Sequence, residues 1–229
     1  MKKNEKIAII PARSGSKRIK NKNIISFFGK PIISYSIKAI KRTNLFDRII
    51  VSTDSEKIAR ISESFGAEIP FLRNKNLSAD YVPISKVMKD TVKRLGENIK
   101  FEDVCCVFPA SPLIEPSSII KGYKLYKKNN LNYVFSACQF DHSVYRSFKL
   151  TKFNTIKMLF KKNILARSQD LEALFFDAAQ FYWGKKEAWL GEKKVFGEKS
   201  NFITIDYLKA HDLDTLEDLK IVKKLFKYI

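Results

Sequence analysis

The sequence predicts an α/β fold built on a mostly parallel β-sheet. Short apolar runs alternate with amphipathic stretches from end to end, which is typical of repeated strand–helix–strand units. With 229 residues and 45% hydrophobic content, the chain has enough apolar surface for one sizeable core. No internal repeat or long linker divides it. We therefore expect a single domain over residues 1–229, with an insertion at about residues 140–176.

Seven apolar runs predict strands, and five amphipathic segments predict helices. The strands are expected at 6–10, 48–52, 68–71, 104–108, 133–137, 180–183 and 202–205. The helices are expected at 31–41, 55–65, 83–95, 116–127 and 215–227. Pro31, Pro83 and Pro116 stand at predicted helix starts, where a missing N–H loses no hydrogen bond. Asp54 or Ser55 is expected to cap the second helix.

A cationic loop follows the first predicted strand. Between Pro11 and Asn23 the chain reads Ala-Arg-Ser-Gly-Ser-Lys-Arg-Ile-Lys-Asn-Lys, with five positive charges and no acid. Arg and Lys donors suit phosphate oxygens. Gly15 allows a ligand to approach the backbone, and successive N–H groups can form an anion nest. The spacing matches neither the P-loop nor the dinucleotide motif. The loop, which follows a strand's carboxyl end, therefore predicts a polyphosphate site of another kind.

The alternation of strands and helices fails between residues 140 and 176. The apolar residues there are spaced as in a β-hairpin with an exposed apolar surface. They are Phe148, Leu150, Phe153, Ile156, Met158 and Phe160. From the pattern alone, an ordinary lid or hairpin packed on its own core is one interpretation; a second comes from the family resemblance described below.

The charge of the chain bears on its partners. The formal net charge is +19, which suits anionic ligands and, when concentrated in one patch, nucleic acid. The Lys residues are scattered along the chain. We therefore expect no nucleic-acid partner and expect the positive field to steer anionic small substrates to the site.

The cysteines and the apolar runs indicate a compartment. Neighbouring Cys105 and Cys106 would face opposite sides of one strand, and Cys138 lies in another strand-like run. We expect reduced, buried thiols in a cytoplasmic protein. The apolar run before Pro11 is too short for a signal peptide, and no stretch approaches the roughly 20 apolar residues of a transmembrane helix. We therefore expect no membrane partner.

Two segments give the chain a family resemblance. The run over 9–23, and Arg-Ser-Gln-Asp-Leu-Glu at 167–172 followed by Asp-Ala-Ala-Gln-Phe-Tyr-Trp at 177–183, resemble the CMP-sialic acid synthetases. These cytidylyltransferases activate nine-carbon 2-keto sugar acids. The loop form Arg-Ser-Gly-Ser-Lys-Arg-Ile-Lys resembles the pseudaminic acid branch. The resemblance implies a Rossmann-like nucleotidyltransferase fold with a small dimerisation insertion, and hence a homodimer.

The resemblance also implies a site for CTP as co-substrate. The nucleotide-binding residues that it implies are Ala12, Arg13, Ser16, Lys17, Lys22, Asn23, Arg73 and Ser78. Arg73 lies in a segment that resembles the family's cytosine-contacting element, although Asn74 stands where the family has Pro. Phe108 replaces a common Gln, so we assign it no binding role.

A pair of aspartates near the C-terminus resembles the family's Asp-x-Asp metal element. Asp212 and Asp214 share a face if their segment is extended, so both can hold one Mg²⁺. With Arg13 and Lys22 they are the implied catalytic residues. An alternative is open and does not exclude the first: Asp214 caps the last helix, and Glu217 completes a capping box.

The sugar site is implied by the second resembling segment. Its candidate residues are Arg167, Gln169, Asp170, Gln180 and Tyr182. Phe175-Phe176 departs from the Tyr-His of the pseudaminic branch. The predicted reaction joins CTP and pseudaminic acid to give CMP-pseudaminic acid and diphosphate, for surface glycans or flagellin. Legionaminic and N-acetylneuraminic acid are alternative substrates. A non-catalytic nucleotide or nucleic-acid binder is the alternative of another class.

Overall fold

A computed structural model of the protein describes residues 4–228. The strands in this part of the chain are Glu5–Pro11 (β1), Ser26–Phe27 (β2), Lys30–Pro31 (β3), Arg48–Ser52 (β4), Phe101–Val107 (β5), Tyr133–Gln139 (β6), Phe148–Leu150 (β7), Ile156–Met158 (β8), Phe175–Lys185 (β9) and Ser200–Thr204 (β10). The α-helices are Ile33–Thr43 (α1), Glu56–Ser64 (α2), Ile84–Gly96 (α3), Pro116–Lys128 (α4), Lys186–Leu190 (α5) and Leu216–Tyr228 (α6).

Six of these strands form a central sheet in the order β10–β6–β9–β5–β1–β4. Strands β4, β1 and β5 pair in parallel, as do β6 and β10. Strand β9 runs antiparallel to both of its neighbours. The prediction of a mostly parallel sheet is therefore confirmed. Because β1 lies between β4 and β5, the order in which strands are added to the sheet reverses at β1. Open α/β sheets bind their ligands in the crevice at such a switch point.

Each face of the sheet is covered by helices. On one face Ile37 of α1, Ile58 of α2 and Ile119 of α4 pack on the strands. On the other face Met88 of α3 and Trp189 of α5 do the same. The neighbouring thiols of β5 are divided between these two cores, as their alternation predicts. All three cysteines are buried and free.

Most predicted elements lie within two to three residues of the observed ones, and two predictions were wrong. The segment 68–71 forms no strand and contributes one isolated bridge between Ile50 and Glu68. Pro31 does not begin a helix but ends β3, in a short hairpin whose turn has Phe28 and Gly29 at positive φ. Pro83 occupies the N-cap position of α3. Pro116 lies in the first turn of α4, as predicted.

The insertion contains the predicted hairpin. Strands β7 and β8 pair antiparallel, and their apolar side chains are exposed, with Phe148 at 60% and Ile156 at 63%. The segment therefore does not pack on its own core as a closed lid would. Separately, no helix within residues 4–228 is long and apolar enough to cross a membrane.

Candidate active site

A cleft of about 490 Å³ opens at the carboxyl ends of β1 and β5. Its walls come from the loop after β1, the segment leading into α3, the loop after β5 and the turn before α6. These are the segments that the sheet's switch point brings together. The predicted nucleotide-binding residues that line it are Arg13, Ser16, Lys17, Lys22, Asn23 and Arg73, together with both predicted metal ligands, Asp212 and Asp214.

The cationic loop is fixed at both ends by hydrogen bonds. The Asp54 carboxylate accepts from the Ser14 N–H at 2.8 Å and from its hydroxyl at 2.7 Å. Asn23 is buried, and its Nδ2 donates to the Arg13 carbonyl at 2.9 Å. Asp54 therefore anchors the loop, while Ser55 is the residue that caps α2, through a bond to the Ile58 N–H. Sequence reasoning considered Asp54 only as a cap and missed this role.

The backbone of the loop offers less to an anion than the sequence predicts. The N–H of Ala12 bonds the Ser52 carbonyl, and that of Ser16 bonds the Ser14 carbonyl. Ala12 is itself buried and does not line the cleft, so its contact with the nucleotide stays a prediction. A Cβ on Gly15 would meet no protein atom within 4 Å. The loop thus leaves open space at Gly15, but its side-chain cations are its main anion-binding groups.

Each half of the loop places two of these cations on one carboxylate. Arg13 forms an ion pair with Asp80, and Lys17 reaches the same carboxylate at 2.6 Å. Hydrogen bonds from Lys17 and Arg13 hold the pKa of Asp80 below its usual range. The group is well exposed, so the pair contributes little to stability. Asp80 lies in the segment that resembles the family's cytosine-contacting element, but the sequence analysis assigned it no role.

The second pair of cations surrounds Asp214. Arg18 lies 2.8 Å and Lys22 3.1 Å from its carboxylate. Four of the loop's five cations thus have carboxylate partners that a polyphosphate would replace. Since phosphate oxygens accept more hydrogen bonds than one carboxylate, that exchange favours a multiply charged anion.

Arg73 supplies a buried donor on the opposite wall. It is 5% exposed, its backbone N–H donates to the Thr53 carbonyl at 2.7 Å, and its Nε donates to the Ser78 hydroxyl at 3.2 Å. Its Nη2 is buried and has no partner within the described chain. Burial lowers the pKa of Arg73, although the side chain stays charged at neutral pH. An unpaired buried donor beside a cleft suits a ligand acceptor such as a base carbonyl. Ser78 acts here by orienting the guanidinium.

The helix that follows the aspartate pair is capped by other residues. The Thr215 hydroxyl accepts from the Asp218 N–H at 3.2 Å, and the Asp218 carboxylate accepts from the Thr215 N–H at 2.6 Å. This reciprocal pair is a capping box. The alternative in which Asp214 caps and Glu217 completes the box was therefore wrong. The Asp214 carboxylate instead contacts Arg18 and Lys22 in the cleft.

Removing the observed cap should cost stability without harming the site. We expect Thr215→Ala to lower the free energy of unfolding by about 1 kcal/mol, because the side-chain acceptor for the first turn is lost. Urea denaturation measures this. Glu217→Ala is the matched control. Among residues 4–228 its side chain pairs with exposed Lys220, so the change should alter stability by less than about 0.5 kcal/mol. Equal losses in the two variants would contradict the observed cap.

The aspartate pair fits a magnesium ion in its chemistry. Asp212 and Asp214 both line the cleft beside the cationic loop. Within residues 4–228 no group of three His, Cys, Asp or Glu side chains forms a complete metal site. Mg²⁺ needs only one or two protein carboxylates when phosphates and water supply its other ligands. The donors present therefore fit an ion that is bound together with a nucleotide.

The predicted sugar residues do not come together in this chain alone. Arg167, Gln169 and Asp170 are exposed on the insertion and do not line the cleft. Gln180 is buried, and its Nε2 donates to the Lys209 carbonyl at 2.6 Å, close in sequence to the aspartate pair. Tyr182 is buried as well. Contact of these five residues with a sugar stays a prediction.

Sequence reasoning assigned no role to Asp177, which is a half-buried acid beside the cleft. The Tyr182 hydroxyl donates to its carboxylate, and the Ala179 N–H, at φ 47°, donates to it at 2.9 Å. Burial raises the pKa of Asp177, and the nearby Asp212 carboxylate adds to this. The signal in the sequence was a charged residue followed by a run of uncharged side chains, residues 178–184.

The fold and the cleft together indicate an enzyme that handles nucleoside triphosphates, and comparison with known proteins gives its class. A family model described as "Cytidylyltransferase" matches residues 7–228, and the chain belongs to this family. Among solved structures, one of CMP:2-keto-3-deoxy-manno-octonic acid synthetase complexed with CTP superposes with a TM-score of 0.70. That match covers 98% of this chain and 99% of the other at 13% identity, and it confirms the nucleotidyltransferase fold.

Two sequence relatives carry names that specify the sugar. The chain is 37% identical over 222 residues to the pseudaminic acid cytidylyltransferase of Campylobacter jejuni, and the alignment covers 96% of each. It is also 37% identical, over 90% of its length, to a Helicobacter pylori protein. That protein is described as a pseudaminic acid cytidylyltransferase and UDP-2,4-diacetamido-2,4,6-trideoxy-beta-L-altropyranose hydrolase, and the alignment covers 40% of it. The predicted family resemblance is thus confirmed.

Proposed function

We propose that this protein transfers CMP from CTP to pseudaminic acid. The observation that carries the proposal is the convergence of four of the loop's five cations with the buried, unpartnered Nη2 of Arg73 in one cleft. The choice of sugar is supported by the relatives named pseudaminic acid cytidylyltransferase, which align over nearly the full chain.

The reaction follows from these positions. The anomeric hydroxyl oxygen of the sugar attacks the α-phosphorus of CTP in line. The bond between the α-phosphorus and the oxygen that bridges the α- and β-phosphates breaks. Pyrophosphate leaves, and the hydroxyl proton passes to solvent. Arg13 and Lys22 stabilise the negative charge that develops on the phosphates, together with Ser16 and Lys17. Arg73 and Asn23 orient the cytidine end.

Asp212 and Asp214 would hold Mg²⁺ together with the triphosphate. When bound, the ion supplies neutralisation of phosphate charge and polarisation of the reacting phosphoryl group. Lys22 and Arg18 pair with Asp214 in the free protein. We infer that these cations exchange Asp214 for phosphate oxygens as the nucleotide enters.

The insertion supports a homodimer. Its exposed apolar side chains include Leu150 at 67%, Phe153 at 77% and Leu165 at 95%. Burying such a surface against a second copy is favourable. Arg167, Gln169 and Asp170 lie on the same insertion and would then complete the partner's sugar site, with Arg167 pairing with the sugar carboxylate.

The three buried cysteines favour the cytoplasm as the compartment of this protein. Cys105, Cys106 and Cys138 are buried and form no disulfide among the described residues. Such thiols are typical of reducing compartments.

The +19 charge should act on the rate of substrate capture. We expect the KM for CTP to rise several-fold when salt increases from about 0.05 to 0.5 M, because screening weakens the attraction of an anion to the cleft. Steady-state kinetics at constant pH measure this. Duplex DNA and RNA should lose detectable binding at physiological salt, as non-specific contacts do. A submicromolar complex that resists salt would favour the nucleic-acid binder.

The proposed function is tested by pyrophosphate release from CTP with a panel of sugar acids. We expect turnover with pseudaminic acid and far lower kcat/KM with legionaminic and N-acetylneuraminic acid. A site that hydrogen-bonds particular polar groups rejects analogues that present them differently. Equal efficiency with all three would leave only the family assignment, and release with none would favour the non-catalytic alternative.

A further inference from the structure

The segment that carries Arg73 is irregular. Residues 69–74 form neither helix nor strand. Arg73 itself is fixed by two hydrogen bonds, one from its N–H to the Thr53 carbonyl and one from its Nε to the Ser78 hydroxyl. Ser78 follows in the same connection between β4 and α3, so its bond does not attach that connection to a rigid element. The position of the guanidinium in the cleft therefore also depends on how the residues just before Arg73 are held.

Arg94 of α3 contacts both of the residues that precede Arg73. Its guanidinium carbon Cζ lies 3.5 Å from the centre of the Phe71 ring. Its Nη1 donates to the Leu72 carbonyl at 3.3 Å. A planar guanidinium can stack on a ring and donate a hydrogen bond at the same time. Arg94 therefore holds the segment by two contacts of different kinds.

Helix α3 is a firm support for these contacts. Met88 and Val92 are fully buried in the core on that face of the sheet. Val87, on an earlier turn of the same helix, lines the cleft. Since a close-packed core resists displacement, α3 fixes Arg94 relative to the cleft wall.

A carboxylate one turn before Arg94 acts on both guanidinium groups. Oδ2 of Asp90 lies 3.9 Å from Nη1 of Arg94. This oxygen is buried and accepts no hydrogen bond within the described part of the chain. Burial lowers the pKa of Arg73, and the negative charge of Asp90 acts against that lowering. Asp90 thus attracts Arg94 on its own helix and Arg73 on the irregular segment.

We propose that Arg94 is a positioning residue for the nucleotide base: it holds Phe71 and Leu72 so that Nη2 of Arg73 is presented to the base of CTP. This inference rests on the proposed function, since it requires a nucleotide in the cleft. Arg94 is outside the cleft lining and acts through Arg73. Its loss should therefore weaken the binding of the base and spare the binding of the phosphates.

The test compares CTP with inorganic triphosphate, which offers charge to the cationic loop but has no base. We expect Arg94→Ala to raise the Kd for CTP by about 10-fold, because a stacked cation and a hydrogen bond are both lost. The Kd for inorganic triphosphate should stay within about 2-fold of wild type. Isothermal titration calorimetry at constant Mg²⁺ measures both. In steady-state kinetics the KM for CTP should rise while kcat is unchanged.

Three further variants complete the test. Lys93→Ala removes an equal charge from the neighbouring, exposed position of α3 and should leave both Kd values at wild type. Arg73→Gln removes the guanidinium but keeps part of the buried stem, and it should raise the Kd for CTP at least as much as Arg94→Ala does. Adding Arg94→Ala to Arg73→Gln should raise that Kd by no more than about 2-fold further, because Arg94 acts through Arg73. Circular dichroism of each variant checks that it is folded.

A wild-type Kd for CTP in Arg94→Ala would overturn the proposal. Equal weakening of CTP and inorganic triphosphate would also overturn it and would give Arg94 a general role in stability. Additive effects of Arg94→Ala and Arg73→Gln would overturn it too, since Arg94 would then act independently of Arg73. Failure of the proposed function is separate: the wild-type protein would then fail to bind CTP, or would bind it without turning over pseudaminic acid.

Discussion

Arg13→Ala is expected to lower turnover of CTP by about 100-fold or more, as the loss of a preorganised charge-stabilising donor typically does. In the free protein Arg13 pairs with Asp80 across the cleft entrance, and its side chain is 34% exposed. It is therefore available to a phosphate and contributes little to the core. Single-turnover pyrophosphate release at saturating CTP measures the effect on the chemical step.

The control for this variant is Arg60→Ala, on the exposed surface of α2 and outside the cleft lining. It removes the same charge and side chain and should leave both turnover and melting temperature close to wild type. Arg13→Ala should also keep its melting temperature, because an exposed ion pair is worth at most about 1 kcal/mol. Turnover within about two-fold of wild type would mean that the cationic loop is not the triphosphate site.

The sequence was sufficient to predict the parallel sheet and the position of the cleft. Residues 7–11 of β1 are an uninterrupted apolar run, as in buried parallel strands, and the loop that follows carries the charges. The predicted strand at 68–71 failed because its apolar residues lie beside β4 without continuing the ladder. The short α5 was missed because five residues give too little periodicity to recognise.

The site was predictable only where adjacent residues carry the chemistry. Arg13, Lys17 and Lys22 belong to one loop, so the sequence displays them together. Asp54 and Asp177 depend on contacts between separate elements, one with Ser14 and the other with Tyr182. Such contacts follow from the register of strands, which local pattern does not specify. The residues of the insertion stay untested because their predicted partner is a second subunit.

Asp212→Asn and Asp214→Asn are each expected to abolish Mg²⁺-dependent turnover, a loss of at least about 100-fold. Each substitution keeps the size of the side chain and removes one negative charge from the predicted ligand pair. The two variants should differ in the free protein. Asp214→Asn also removes the carboxylate partner of Arg18 and Lys22, whereas Asp212 lies outside those ion pairs. Titration of Mg²⁺ at fixed CTP measures the effect.

Asp218→Asn provides the matched control for this pair. It removes the same charge a few residues away, outside the cleft lining. The Asp218 carboxylate accepts from the Thr215 and Asp214 N–H groups, and the Asn amide oxygen can accept the same bonds, so we expect stability to fall by no more than about 1 kcal/mol. If Asp212→Asn and Asp214→Asn retain wild-type turnover, the pair does not hold the metal. If Asp214→Asn alone retains turnover but binds CTP more tightly, Asp214 serves only as the placeholder that the triphosphate displaces. Loss in both variants, with Asp218→Asn unchanged, is the result that a magnesium ion shared between Asp212 and Asp214 requires.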